Sequence, residues 1–312
     1  NSIRTGIIKR LDMIYRGIGS RFLPALLLGE RGLLYDDEYN AVYANNLVHI
    51  ISVSGMHVGF LMLLILFLFN FRRNIFFFVV TIFLTWIYAA LTGFSPSCVR
   101  AVIIVNIACM TSKKVDRLYL MMLTAFIMLL IKPVLIFNIG FQFSFTSTCG
   151  IIYFFSWASD KLDFIPRKLR NIIIISVSAY ISLAPLLVLY FKVFSPLSLI
   201  VNMIVVPFVS IMMGLGLITF TVSYFSIWLA CILSMANEFL MNNIFFILKS
   251  TAQLKYMTFK VQNIGIWTVI GLYVCLIIIP KLEQIRENER GIRLLTIGTI
   301  IILLFSCMSF MN

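Results

Sequence analysis

Histidine, charge and acidic residues are scarce in this chain of 312 residues. It has two histidines, and charged residues make up 12% of it, about half of the ~25% that is usual in soluble proteins. Hydrophobic residues make up 61%, and the mean hydropathy is +1.03. This composition excludes a soluble globular domain and predicts an all-α, polytopic integral membrane protein.

Cysteine pairs of the metal-binding or redox type are also missing. The six cysteines are scattered through apolar segments, and no CxxC pair or HExxH motif occurs. Such cysteines are typical of small buried hydrophobic side chains. We therefore predict no metal site and no cofactor.

The net charge is +13, because 25 basic residues face 12 acidic ones. Basic residues collect in the cytoplasmic loops of membrane proteins, which predicts that loops 72–73, 113–117, 161–170 and 281–293 are cytoplasmic. Residues 1–46 and loop 249–263 then lie outside, although both are basic. A polyanion partner, either nucleic acid or anionic lipid, is the alternative explanation of the charge.

The first 46 residues combine helical apolar spacing with basic residues. They predict an amphipathic helix that lies on the membrane surface or packs on the helix bundle. We expect Pro24 to end this helix and the acidic residues 36–38 to form a solvated helix start. No apolar core of signal-peptide length occurs there, and the start at Asn1 rather than Met predicts a fragment or a trimmed product. We divide the chain into a juxtamembrane segment, 1–46, and a transmembrane domain, 47–312.

About ten membrane segments are predicted, and several are short or interrupted compared with the roughly 20 residues that a helical span needs. The apolar stretches are 47–70, 75–91, 98–110, 118–131, 135–157, 172–191, 196–225, 226–248, 265–279 and 294–310. Pro185, Pro207 and the glycines at 214 and 216 favour broken helices, which line cavities in other membrane proteins.

Residues 47–70 are apolar enough to cross a bilayer, yet the first half of the stretch is polar. Its polar side chains are His49, Ser52, Ser54 and His57. They must face protein or water, because exposure to hydrocarbon is costly. The histidines lie about 80° apart around a helix, and no acidic or cysteine partner is near, so they give little support to a metal site.

The same stretch contains two residue pairs that suggest different roles, one in helix packing and one in catalysis. Gly55 and Gly59 form a GxxxG motif, which predicts close helix packing. Ser54 and His57 suggest an intramembrane serine hydrolase, in which the ring would activate the hydroxyl. However, the Gly-x-Ser-Gly motif of rhomboid-type proteases is broken by Ser52, and no histidine follows later in the chain.

Two further polar positions stand out beyond this stretch. Arg100 opens an apolar segment behind Pro96, where it either snorkels to the interface or binds phosphate with its planar fork. From Asn138 to Gly150 nearly every second residue is polar, so this helix must face other helices or water. Gln142 is the strongest hydrogen-bonding group in it.

Five stretches occur in an order that resembles the ComEC-type competence proteins, the DNA-internalisation channels of naturally transformable bacteria. They are HIISVSGMHVG at 49–59, LLLGE at 26–30, LTGFSPSCVRA at 91–101, the run from Pro133 to the GFQFSF at 140–145, and Phe194 through Asn202 to Pro207. Together they cover about residues 20–220. Ser52, Phe143 and the lack of a glutamine at 180–190 depart from the family pattern.

The resemblance implies a multi-pass protein of the bacterial cytoplasmic membrane that passes single-stranded DNA during natural transformation. Its partners would be single-stranded DNA, membrane lipids and other components of the uptake machinery. The resemblance does not fix the oligomeric state. Relatives carry a metallo-β-lactamase-like nuclease part, whose HxHxDH motif is missing here, so we expect no enzyme activity. A small-anion transporter and the serine hydrolase are the alternatives.

The resemblance and the polar character of the residues together select candidates for the DNA path. These are His49, Ser54, Gly55, His57, Arg100, Gln142 and Asn202. Arg100 would bind phosphate, and the others would line the pore. Gly59, Pro185 and Pro207 are predicted to serve helix packing or kinks.

Overall fold

A computed structural model describes residues 2–45, 47, 54–70, 74–111, 115–162, 164–253, 259–260 and 265–284. The described chain is helical almost throughout. The helices are α1 (Ser2–Ile14), α2 (Gly19–Leu28), α3 (Asp36–Ala44), α4 (Gly55–Leu68), α5 (Ile75–Leu91), α6 (Pro96–Met110), α7 (Arg117–Ile131), α8 (Ile139–Lys161), α9 (Arg167–Phe191), α10 (Pro196–Val222), α11 (Ile227–Ala252) and α12 (Ile266–Gln284). Short 3₁₀ turns cover Arg31–Leu33 and Pro133–Phe137, and strands β1 (Val193–Phe194) and β2 (Phe259–Lys260) pair antiparallel.

Three helices are long and apolar enough to cross a bilayer, namely the apolar part of α9 (Leu169–Phe191), α10 and α11. Seven more apolar helices or helix parts of 10–17 residues are described. The predicted all-α, polytopic membrane fold with several short segments is confirmed. The apolar run 75–91 forms a helix with these same bounds, whereas 294–310 lies outside the described residues.

The predicted helix breaks at proline are wrong. Pro24, Pro185 and Pro207 all lie inside continuous helices, and α10 is one helix of 27 residues. A proline in a helix leaves a preceding carbonyl without its usual donor, which other groups in a membrane protein can replace. Near Pro185, the Tyr273 hydroxyl donates to the Ser182 carbonyl at 3.0 Å. A kink without a break stays a prediction at Pro185 and Pro207.

The described chain divides into two compact units. The first contains Asn1–Gln142 and Ile200–Lys255, and the second contains Phe143–Leu199 and Tyr256–Asn312. Within the first unit, α1 packs on α11 and on the turn that follows α10 rather than lying apart. Arg10 donates to the hydroxyl and the carbonyl of Ser223, and Asn237 donates to the Tyr15 hydroxyl at 3.0 Å. Of the two placements expected for the N-terminal helix, the structure has the packed one.

The acidic start of α3 is only partly as predicted. Asp36 and Asp37 are exposed in the first turn, where the helix dipole favours them. Glu38 is only 4% exposed and binds Arg21 through both oxygens, at 2.6 and 3.3 Å. A buried carboxylate requires such a charged, hydrogen-bonded partner, so this residue joins α3 to α2 instead of facing solvent.

In the second unit, α8 approaches α9 closely at Gly150. A Cβ on Gly150 would lie 1.7 Å from Ser182 Oγ and 3.1 Å from the Ser178 carbonyl oxygen. No side chain larger than hydrogen fits at that approach. The Tyr180 hydroxyl donates to the Ser195 carbonyl at 2.5 Å and joins the middle of α9 to the residue before α10.

Candidate functional site

The C-terminal end of α2 receives donors from four parts of the first unit. The last carbonyls of a helix have no partner within it. Here Gly29 N donates to Ala25 O at 3.0 Å, closing the helix in the left-handed conformation. Side chains from elsewhere donate to the next three carbonyls: His57 to Leu26 at 2.7 Å, Tyr88 to Leu27 at 2.8 Å and Arg4 to Leu28 at 3.0 Å.

His57 is fully buried at the start of α4. Because the Leu26 carbonyl can only accept, its partner Nε2 must carry the proton, and Nδ1 must accept. Nδ1 receives the Ser54 backbone N–H at 3.0 Å and lies 3.2 Å from Ser54 Oγ. The ring is therefore a neutral link between the end of α2 and the start of α4.

The same geometry bears on the hydrolase alternative. A hydroxyl within about 3.2 Å of an imidazole nitrogen, with the other ring nitrogen held by an acceptor, resembles a nucleophile and its base. In this protein the Nδ1 lone pair is shared with a backbone N–H. Ser54 also occupies the N-cap position of α4, where serine is favoured for structural reasons.

Gly55 brings α4 against α6 beside Arg100. A Cβ on Gly55 would lie 3.3 Å from Ala101 Cβ and 3.5 Å from Arg100 Nη2. The guanidinium group therefore lies at the N-terminal end of α4. At Gly59 no described atom lies within 4 Å of the Cβ position, so the close packing predicted from the GxxxG motif is absent from the described structure at its second glycine.

The N-terminal end of α8 lies against the first residue of α6. A Cβ on Gly140 would be 3.9 Å from Pro96 Cδ and 3.1 Å from Asn138 Oδ1. Asn138 caps α8 by accepting the Phe141 N–H at 3.2 Å. Since Gly55 lies against the first turns of the same α6, the N-terminal ends of α4, α6 and α8 gather around one helix. Each carries a partial positive charge of roughly half an elementary unit.

Two exposed aromatic rings flank this gathering of helix ends. Phe94 precedes Pro96 by two residues and is 55% exposed; Phe137 precedes Gly140 by three residues and is 79% exposed. Phe94 also has a positive φ of 52°, a conformation that costs a residue with a Cβ about 1–2 kcal/mol. We call Phe94, Arg100, Phe137 and the N-terminal ends of α4, α6 and α8 the N-terminal cluster.

The remaining candidates are distributed unevenly. Gln142 donates to the Ile136 carbonyl at 2.8 Å, next to the N-terminal cluster. Asn202 lies on α10, and its buried Oδ1 accepts no hydrogen bond from the described residues. His49 lies outside the described residues. Among the residues that are described, no group of three or more His, Cys, Asp or Glu is arranged to hold a metal ion.

Two features of the site were not predicted from the sequence. They are the proximity of the N-terminal ends of α4, α6 and α8, and the side-chain hydrogen bonds to the last carbonyls of α2. The backbone partner of a side chain cannot be read from residue types. Three signals for the helix ends were present, namely serine at 54, proline at 96 and asparagine at 138. These residue types are favoured at helix starts, but nothing in the sequence shows that the three starts meet.

Comparisons with known proteins give one family model and two curated relatives. A family model described as "Competence protein" matches residues 26–285. The chain is 26% identical over 256 residues to ComE operon protein 3 of Bacillus subtilis. This alignment covers 77% of this chain and 32% of that protein. It is 28% identical over 222 residues to the uncharacterized protein MG316 of Mycoplasma genitalium, covering 68% of this chain and 58% of that protein.

The chain therefore spans about a third of the length of the first relative and under two thirds of the second. No solved structure matches it.

Proposed function

Because the chain belongs to the Competence protein family, we propose that it passes single-stranded DNA across a bacterial cytoplasmic membrane during natural transformation. The observation that carries the proposal furthest is the N-terminal cluster, which joins positive helix ends, an arginine and exposed rings in a protein with membrane-spanning helices. Single strands are bound by this combination of cationic and aromatic groups.

Phosphate recognition falls to Arg100 and the helix ends. A guanidinium group offers a planar fork of donors that matches phosphate oxygens. Helix N-termini favour anions through their dipoles, and the starts of α4 and α8 lie against the first turns of α6, which carries Arg100. In a channel these groups need to attract the phosphates of a moving strand without trapping it, which several partial charges do better than one fixed ion pair.

Base contacts fall to the exposed rings. Bases stack on aromatic side chains with about 1–3 kcal/mol each and with little dependence on sequence. Phe94 and Phe137 lie within a few residues of Pro96 and Gly140, where α6 and α8 touch. The strained backbone of Phe94 is consistent with a ring that is held in place for such a contact.

The other candidates have lesser roles in this proposal. Gln142 and Asn202 supply polar surface, and His49 and Ser54 extend it. Gly55 lets α6 and the guanidinium of Arg100 approach α4. His57 supports the path by joining α2 to α4. Other components of the DNA-uptake machinery are its expected partners.

The test is uptake of end-labelled DNA into competent cells that express Arg100→Gln, compared with wild type at matched membrane abundance. We expect internalised label to fall about tenfold or more, since a hydrogen bond to a charged group is worth about 1.5–3 kcal/mol. Surface-bound DNA should be retained. The matched control is Arg117→Gln, which removes an exposed arginine at the start of α7.

Equal uptake by Arg100→Gln and Arg117→Gln would contradict the role of the N-terminal cluster. Phe94→Leu keeps the apolar character but removes the ring, so it should lower uptake without lowering protein level. Lower DNA uptake by both Arg100→Gln and Phe94→Leu, with unchanged melting temperatures, supports the DNA path.

The hydrolase remains a second candidate because Ser54 Oγ lies 3.2 Å from His57 Nδ1. A fluorophosphonate probe labels activated serines. Labelling of wild type that disappears in Ser54→Ala, while Ser52→Ala keeps it, would favour the hydrolase. Unlabelled wild-type protein would remove this candidate.

A further inference from the structure

An apolar cavity of about 180 Å³ lies in the second unit, between the C-terminal half of α8, the N-terminal half of α9, and α12. Its walls include Phe154, Trp157, Leu162, Ile174, Ile181 and Leu276. A cavity of ~150 Å³ with walls of this type holds a benzene molecule. This one has room for several carbons of a hydrocarbon chain.

A stripe of basic residues continues the cavity wall along α9. Arg167 and Arg170 precede the wall residues Ile174 and Ile181 at helical spacing, which places all four on one face of the helix. Arg170 Nη1 donates to the Ser159 carbonyl of α8 at 3.5 Å. Its guanidinium group therefore lies beside the end of the cavity formed by Ala158 and Leu162, and Arg167 is exposed one turn further out.

The sequence around this end of the cavity is cationic. Residues 160–170 contain Lys161, Arg167, Lys168 and Arg170 against Asp160 and Asp163, a net charge of +2. A basic loop by itself serves membrane orientation. Orientation does not require the arginines to share a helix face with an apolar cavity, nor a tryptophan in the cavity wall. Tryptophan is favoured at the depth of lipid headgroups.

We propose that this cavity binds an anionic phospholipid, with one acyl chain against Trp157 and Ile174 and the headgroup phosphate on Arg167 and Arg170. In a bilayer the molecules that reach an apolar cavity are lipid chains. A chain in contact with the walls recovers dispersion contacts that an empty cavity loses. Basic pockets between membrane helices select anionic headgroups in this way.

The experiment uses the full chain in nanodiscs of phosphatidylcholine that contain a minor fraction of phosphatidylglycerol. Lipids that stay with the protein after detergent extraction are counted by native mass spectrometry. Wild type should retain phosphatidylglycerol above its share in the bilayer. The pair Arg167→Gln and Arg170→Gln should lower this preference by at least about fivefold, whereas Arg117→Gln should leave it unchanged.

Filling the cavity tests the acyl chain separately. Ala158→Trp should abolish retention of both lipids, and Ile181→Trp at the partly exposed rim does the same if the first variant fails to fold. Retention at the bulk ratio in wild type would overturn the proposal, and so would a preference that survives loss of both arginines. Displacement of the lipid by glycerol phosphate would also overturn it, because it would mean a phosphate site without a chain site.

Discussion

His57 is buried between the end of one helix and the start of another, and this position limits what its ring can do. Both ring nitrogens are engaged by backbone groups, Leu26 O and Ser54 N. Protonation would add a hydrogen to Nδ1, which now accepts the Ser54 N–H, so two N–H groups would face each other. A ring held in this way serves as a structural link between α2 and α4.

Replacing this ring should therefore destabilise the protein. In His57→Ala the Leu26 carbonyl and the Ser54 N–H lose their partner in a buried place, at about 1–3 kcal/mol each, and a void is added. We expect a clearly lower melting temperature in detergent, measured by tryptophan fluorescence. Tyr88→Phe removes one hydrogen bond to the neighbouring Leu27 carbonyl but keeps its ring, so it should lower the melting temperature less.

The contrary result would be equally informative. If His57→Ala melts like wild type while DNA uptake is lost, the ring contacts DNA and does not join helices. His57→Gln can still donate to the Leu26 carbonyl and should recover part of the stability if the link is structural.

Helix length sets what the elements of the N-terminal cluster can do. α6 has 15 residues and is about 22 Å long, less than the ~30 Å hydrocarbon core of a bilayer. Short membrane helices whose N-termini point at anionic groups are a known device of transporters. The polar ends of α4, α6 and α8 can thus lie at a depth that a strand must pass.

The contact between α8 and α9 gives a prediction at this scale. Gly150→Leu places a side chain where Ser182 Oγ already lies, 1.7 Å from the Cβ position, so the helices must separate. Overpacking of this kind costs about 1–3 kcal/mol or more, and we expect a lower melting temperature. Gly59→Leu is the matched control, because no described atom lies within 4 Å of that Cβ.

A double variant shows whether the clash itself is the cause. Gly150→Ala with Ser182→Gly removes the opposing side chain, so the loss should be smaller than the sum of the two single losses. Additive losses would contradict a direct contact between the two positions.

The elements were easier to predict from the sequence than their neighbours. The run 75–91 gave both ends of α5 correctly, because a continuous apolar stretch between Asn74 and Thr92 has polar boundaries. Pro207 misled, since in lipid a helix tolerates proline when other groups replace the lost hydrogen bond. Packing faces were not predictable, because a helix in lipid is apolar all round.

In the candidate site too, single residues were predictable from the sequence and their spatial neighbours were not. Arg100 and Gln142 could be chosen from the sequence because strongly polar groups in apolar surroundings stand out. The meeting of Gly55, Arg100 and Pro96 with Gly140 could not, because it depends on contacts between helices distant in sequence. Resemblance to a family placed these residues in order along the chain, but gave no distances between them.

For the whole molecule, the orientation in the membrane follows from charge and from the length of α8. Its 23 residues extend about 34 Å, but their apolar part, Ile139–Phe155, is shorter than the roughly 20 residues of a usual span, so a bilayer-crossing α8 is a prediction. The basic turn after it should face the cytoplasm and the turn before it the outside, by the distribution of lysine and arginine. The exposed side chains Phe164 and Val134 mark these two turns, at 81% and 67% exposure.

Labelling from one side tests this orientation. In a chain whose six cysteines are replaced by serine or alanine, a membrane-impermeant maleimide applied to intact cells should label Val134→Cys but not Phe164→Cys. Opening the cells should expose Phe164→Cys. The reverse pattern would place the basic turn outside and would mean that a span is missing from the count of about ten.

The reverse pattern would also carry Arg167 and Arg170 to the outer leaflet, where a site for an anionic headgroup would meet a different lipid mixture. Labelling of both positions in intact cells would contradict a spanning α8, since both ends of a helix that crosses the bilayer cannot face the same side.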